Sequence, residues 1–167
     1  QCVEWGMPDR LVLGEVELPE PKAGEVRVRV EAAGVNFPDA LIVQKKYQVQ
    51  PPLPFIPGTE VAGKVDAVGS NVKHLKVGER VGAFVGLGGF AEFVCAPVAM
   101  VAPLPPGVST EAAAAFTLTY ATSHHALFDR GQLKAGETLA VLGAGGGVGL
   151  AAVELGKIAG ARVIAVA

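Results

Sequence analysis

The sequence predicts an α+β region followed by an α/β region: a small all-β barrel or sandwich, then the first βαβ unit of a dinucleotide-binding fold. Three observations carry this. Residues 1–105 hold short strand-like runs broken by glycine and proline. At 108 the texture changes to a serine-capped, alanine-rich stretch. Residues 138–167 then read as apolar run, glycine-rich turn, helix-spaced apolar residues and a second apolar run.

In the first part, strand-like runs fall at 11–18, 25–33, 60–68, 80–85 and 90–96. ValArgValArgVal (26–30) alternates as a strand does when one face is wet. Nine of the twelve prolines lie between 38 and 106, so the clusters at 51–57 and 103–107 are loops or edge segments rather than helix or central strand. Residues 39–44 fit one short helix. The domain division falls at 107/108, giving 1–107 and 108–167.

Beyond it, Ser109 can cap a helix beginning at Thr110, with Glu111 in the first turn. A second helix is predicted over 122–130 and a turn over 131–137. The strand at 139–142 leads into Gly143, Gly145, Gly146, Gly147 and Gly149. Apolar residues at Val148, Ala151, Ala152, Leu155 and Ile158 follow at helical spacing. Gly160 ends that helix, and Arg162–Val166 is the next buried strand.

The strict G-x-G-x-x-G pattern requires glycine where Ala144 stands. What is present is Ala144-x-Gly146-x-x-Gly149, or Gly143-x-x-Gly146-x-x-Gly149 on a looser template. Glycines alone fit a turn that serves only helix–strand packing. Set between strand and helix, they fit a pyrophosphate turn, where bare backbone amides and a helix N-terminus meet the anion.

Composition narrows the function classes. With 167 residues, half of them hydrophobic, the chain is one or two soluble domains. A net charge of −2 and no long basic run imply neither nucleic acid nor anionic membrane as partner. Apolar runs end well short of the ~20 residues that span a bilayer, and no signal-like segment opens the chain. Cys2 and Cys95 form no CxxC pair, which points to a reduced, cytoplasmic protein without cysteine-bound zinc.

The markers ProLysAlaGlyGluValArgValArgVal (21–30), AlaGlyValAsnPheProAspAla (33–40), ProProLeuProPheIleProGlyThrGluValAlaGlyLysVal (51–65), ValGlyGluArgVal (77–81) and GlyGlyPheAlaGluPhe (88–93) run through the first part. LeuThrTyrAlaThrSerHisHisAlaLeu (118–127), LeuLysAlaGlyGlu (133–137) and GlyGlyValGlyLeuAla (146–151) continue the series. With these, the chain resembles the zinc-independent quinone oxidoreductase branch (zeta-crystallin-like) of the medium-chain dehydrogenase/reductase superfamily. The resemblance implies a GroES-like catalytic domain followed by a Rossmann domain. It further implies NADP(H) rather than NAD(H), and hydride transfer to a quinone or to an α,β-unsaturated carbonyl or enoyl thioester. A homodimer is implied for the full-length protein. Zinc-dependent relatives carry a cysteine at the position of Asn36 and a histidine at that of Thr59, and an amide and a hydroxyl are poor zinc ligands beside those. Family members are about twice as long, so the chain is expected to be a fragment holding two of six Rossmann strands. The position that discriminates NADP from NAD lies just past Ala167.

By the same resemblance, Asn36 and Tyr47 are the catalytic candidates. An amide NH₂ and a phenol OH both donate to an oxygen gaining charge. Asn36 also suits a turn after Gly34, and Tyr47 also suits packing against Phe55. A second tyrosine of some relatives is Leu41 here, implying a more apolar pocket. Thr122 matches a threonine near the nicotinamide, or caps the following helix. Gly146, Gly147, Val148 and Gly149 form the pyrophosphate turn, and no metal ligands are assigned. His124, His125 and His74 are read as structural or surface residues; Asp39 and Glu60 are assigned structural roles. The reading from a different class is a dinucleotide-binding protein without catalysis, since fold does not guarantee activity.

Overall fold

In the computed structural model, which describes residues 1–167, the alternating valines build β1 (Glu25–Gly34), with Val26 and Val28 fully buried. β2 (Glu60–Val68) pairs antiparallel with β1, β3 (Arg80–Phe84) with β2, β4 (Phe93–Pro97) with β1, and β5 (Val101–Pro103) with β3. The resulting five-stranded sheet has the order β4-β1-β2-β3-β5. Val94 from one edge and Val101 from the other join Val28, Val61, Val65 and Val81 in a single apolar cluster, so the sheet curls around its core as a small barrel does. Two register shifts in β1, at Arg27/Val28 and Val30/Ala32, allow that curl.

The strand expected at 11–18 is not formed. Leu13 is fully exposed, and the segment makes only one rung, Val12 N–H to the Gln1 carbonyl at 3.0 Å, answered by the Gln1 amine to the Val12 carbonyl at 2.6 Å. Alternation of apolar residues does not make a strand where no neighbouring edge accepts it. The following residues are pinned by Arg27, whose guanidinium reaches Asp66 at 2.7 Å and both the Glu20 carboxylate and the Pro19 carbonyl at 3.0 Å. The face of β1 opposite the core is therefore partly covered, not simply wet.

The first helix, α1, spans Phe37–Val43, starting two residues earlier than expected because Pro38 fits the first turn. A second short helix, α2 (Thr110–Ala114), is capped as predicted by Ser109, whose hydroxyl accepts from the Ala112 amide at 3.1 Å. Ala113 and Ala114 pack on Ala62 at the outer side of the sheet. With α2, residues Gln1–Ala115 form one compact unit.

Phe116–Ala167 form the other. Helix α3 (Thr117–His124) runs on as a wider π-type turn over His125–Arg130, so the helix expected at 122–130 begins five residues earlier. β6 (Thr138–Leu142), α4 (Gly147–Ile158) and β7 (Arg162–Val166) follow, with β6 and β7 parallel in register from Thr138↔Arg162 to Leu142↔Val166. A parallel pair joined through a helix is the βαβ unit that the glycine spacing predicted. No helix of the molecule is long and apolar enough to cross a membrane.

Candidate functional site

In the first unit the site is built where β1 hands the chain to α1. Asn36 sits at the N-cap with extended backbone, φ −121° and ψ 157°. Its backbone amide donates to Asp39 Oδ2 at 2.8 Å, and its side-chain Nδ2 donates to Glu60 Oε1 at 2.8 Å. Asn36 and Asp39 form a capping box at the helix start: the Asn36 side chain faces the Asp39 backbone amide, while the Asp39 carboxylate holds the Asn36 amide. Asp39 and Glu60 are 3% and 1% exposed, against the usual rule that carboxylates stay wet. Burial pushes the Asp39 carboxyl above its ordinary range; the amides of Asn36 and Gly58 and the Thr59 hydroxyl pull the other way. Those last contacts are loose, because Asp39 Oδ1 and Thr59 Oγ1 have no well-formed hydrogen bond. Thr59 is fixed through its carbonyl instead, which accepts from Val85 at 2.8 Å and Gly86 at 3.1 Å.

Val35 and Phe37, on either side of Asn36 in the chain, are largely exposed. Tyr47 lies past the far end of α1, half-buried, after Lys45 turns the chain with φ 58°. The ring packed near Phe55 is that of Trp5, at 5.6 Å between centroids. The seven-residue helix, about 10 Å long, and a left-handed turn at Lys45 lie between Asn36 and Tyr47. A groove of about 580 Å³ in the same unit runs between 12–19 and 90–93, away from both residues. It carries no comparable buried polar group; the Asn36 cluster does, and is the better candidate for chemistry.

In the second unit the glycine turn separates into two kinds of position. A Cβ on Gly149 would stand 2.2 Å from the Gly143 carbonyl, so packing alone demands glycine there. A Cβ on Gly146 would meet nothing nearer than 3.5 Å, and one on Gly145 nothing nearer than 3.8 Å. The space above these two is open, and no side chain caps α4 at its Gly146 end. An exposed helix start with room over bare backbone fits a diphosphate. Ala144, the departure from the strict pattern, is buried and donates its amide to the Val166 carbonyl at 2.9 Å. Its methyl fills core.

Thr122 is an exposed residue inside α3, not the cap of a following helix. Its neighbour Ser123 went unnoticed in the sequence: 2% exposed, it donates to the Val148 carbonyl at 2.7 Å and ties α3 to the first turn of α4. A buried hydroxyl beside a helical histidine pair leaves no compositional signal. His124 stacks edge-on to Phe128, His125 pairs with Asp129 at 2.9 Å on the surface, and His74 is exposed. No three His, Cys, Asp or Glu side chains converge as metal ligands would.

Residues 22–106 match the family model of the alcohol dehydrogenase GroES-like domain. Mouse synaptic vesicle membrane protein VAT-1 homolog-like is 40% identical over 151 residues, covering 90% of this chain and 36% of the relative. Mouse quinone oxidoreductase is 37% identical over 166 residues, 98% of this chain and 50% of the relative. A mycobacterial structure complexed with NADPH superposes with a TM-score of 0.91 at 36% identity, over 98% of this chain and 50% of that one. The chain thus spans between about a third and a half of the length of these relatives.

Proposed function

The chain belongs to the family of the alcohol dehydrogenase GroES-like domain, within the medium-chain dehydrogenase/reductase superfamily, and from that membership we propose that the protein is a zinc-independent oxidoreductase using NADPH in preference to NADH. Its substrate is a quinone or an α,β-unsaturated carbonyl such as an enoyl thioester. The open glycine turn carries the proposal: Gly145 and Gly146 are bare where packing does not require it, at a helix start that no side chain caps.

When bound, the reduced nicotinamide supplies hydride. The protein's own residues do the rest. The turn at Gly146, Gly147, Val148 and Gly149 holds the diphosphate through the amides of the last three, the Gly146 amide being taken by the Gly143 carbonyl at 3.1 Å. The Thr122 hydroxyl, exposed on α3, hydrogen-bonds the carboxamide. Asn36 Nδ2 carries two protons and gives one to Glu60, leaving one for the substrate oxygen that gains charge. Tyr47 offers a phenol O–H to the same class of oxygen. Amide, hydroxyl and phenol donors suit an oxyanion better than a zinc ion, which favours thiolate and imidazole. The division of labour follows the sequence boundary at 107/108, with catalysis before it and cofactor binding after it. The full-length protein acts as a cytoplasmic homodimer.

The test uses the full-length protein. Titration with NADPH and NADH, then turnover of 1,4-benzoquinone and an enoyl-CoA panel, is expected to show tighter NADPH binding and NADPH oxidation. The Asn36→Ala, Tyr47→Phe double variant is expected to lose about a hundredfold in kcat while still binding dinucleotide. Absence of dinucleotide binding sinks the proposal. Tight binding with no turnover on any electrophile replaces it with the non-catalytic binder.

A further inference from the structure

We propose that Glu60 is a positioning residue for the Asn36 amide, fixing which way its nitrogen faces so that the second Nδ2 proton is held ready for a substrate oxygen. The proposal rests on Asn36 being the donor to substrate. An asparagine amide by itself is ambiguous, since oxygen and nitrogen are nearly the same shape and either can face a given neighbour. A carboxyl oxygen that accepts settles which end of the amide faces it. With Glu60 Oε1 at 2.8 Å, the nitrogen must turn toward it.

The fold goes to some length to place that carboxylate. Glu60 opens β2 and stands in register with Gly34, the last residue of β1. A Cβ at 34 would meet Glu60 Oε1 at 2.6 Å, Glu60 Cγ at 2.8 Å and the Ala114 carbonyl at 2.4 Å. The glycine leaves a trough in which the Glu60 side chain crosses β1 to reach Asn36. There the Glu60 side chain is 1% exposed, and a buried polar group is tolerated only where hydrogen bonds compensate it. At the other end, Asp39 Oδ2 holds the Asn36 backbone amide at 2.8 Å. One asparagine, half-buried between exposed Val35 and Phe37, is thus gripped by two buried carboxylates, one on its backbone and one on its side chain. Such second contacts hold a donor to the tolerance that catalysis needs.

A double-mutant cycle in the full-length protein tests this, with NADPH and 1,4-benzoquinone as substrates. Glutamine at 60 keeps the volume but accepts either amide orientation. Glu60→Gln is expected to lower kcat about tenfold with KM for benzoquinone unchanged, the signature of an interaction made only in the transition state. In an Asn36→Ala background the same change is expected to move kcat less than twofold. Equal losses in both backgrounds overturn the proposal and leave the donor role of Asn36 standing. Full activity in Asn36→Ala alone overturns the donor role as well. Asn36→Gln, with its fold checked by circular dichroism and thermal midpoint, gives a second reading. The amide moves one methylene out of register, and kcat is expected to fall nearly as far as in Asn36→Ala. Activity within twofold of wild type there also overturns the proposal.

Discussion

Asp39 shows how one buried carboxyl couples structure to pH. Burial raises its proton affinity in the folded chain, and the hydrogen bonds from Asn36, Gly58 and Thr59 only partly offset that. In the unfolded chain the group returns to its ordinary value near 3.8. Between those two points the folded state binds more proton than the unfolded state, so stability falls as pH rises through the window. The contribution is fully present below the ordinary value and lost above the raised one. Asp39→Asn removes the titration while its amide oxygen can still accept from Asn36. Urea unfolding of the full-length protein from pH 3 to pH 7 is expected to show the variant gaining on wild type as pH increases. A difference between the two that does not change with pH would mean that Asp39 titrates alike in both states.

At the scale of the element, the strand–turn–helix at 138–158 separates what packing needs from what a ligand needs. Gly149→Ala drives a methyl into the Gly143 carbonyl, and is expected to disturb the turn and lower stability by more than about 1 kcal/mol. Gly146→Ala meets nothing nearer than 3.5 Å and keeps an ordinary backbone, φ −83°. It is expected to leave the thermal midpoint unchanged while weakening NADPH binding at least tenfold. If Gly146→Ala binds NADPH as wild type does, the cradle is a packing turn and nothing more. This βαβ unit was legible because its signals are local: β7 falls at Arg162–Val166 as the apolar run indicated, and Gly160 ends the helix with φ 80°. But the strand expected to be buried is largely exposed, because only β6 pairs with it. The segment at 11–18 was misjudged because strand formation depends on a neighbouring edge that sequence periodicity does not report. Asn36 was legible in the sequence as a candidate donor, but its contact with Glu60 was not. Glu60 reaches Asn36 across twenty-four positions of chain and a register contact with Gly34, neither of which leaves a pattern in the sequence.

For the whole chain, the two units differ in how much core supports them. The first closes five strands over valines that are almost wholly buried. The second has two strands and leaves Leu142 at 80%, Ile158 at 82% and Leu150 at 53% exposure. A two-stranded sheet is marginal unless something covers it, and a core of this size supplies only a few kcal/mol. β7 also pairs on one side alone, so its outward amides have no ladder partner. Unequal support means that a single free energy does not describe the unfolding of the 167-residue chain. Hydrogen exchange followed by mass spectrometry across a urea series is expected to show Arg162–Val166 and Thr138–Leu142 losing protection at lower urea than Glu25–Gly34 and Glu60–Val68. Coincident loss in all four strands would show one cooperative unit. In that case the exposed apolar residues of the second unit would need a covering surface that its own fold does not supply.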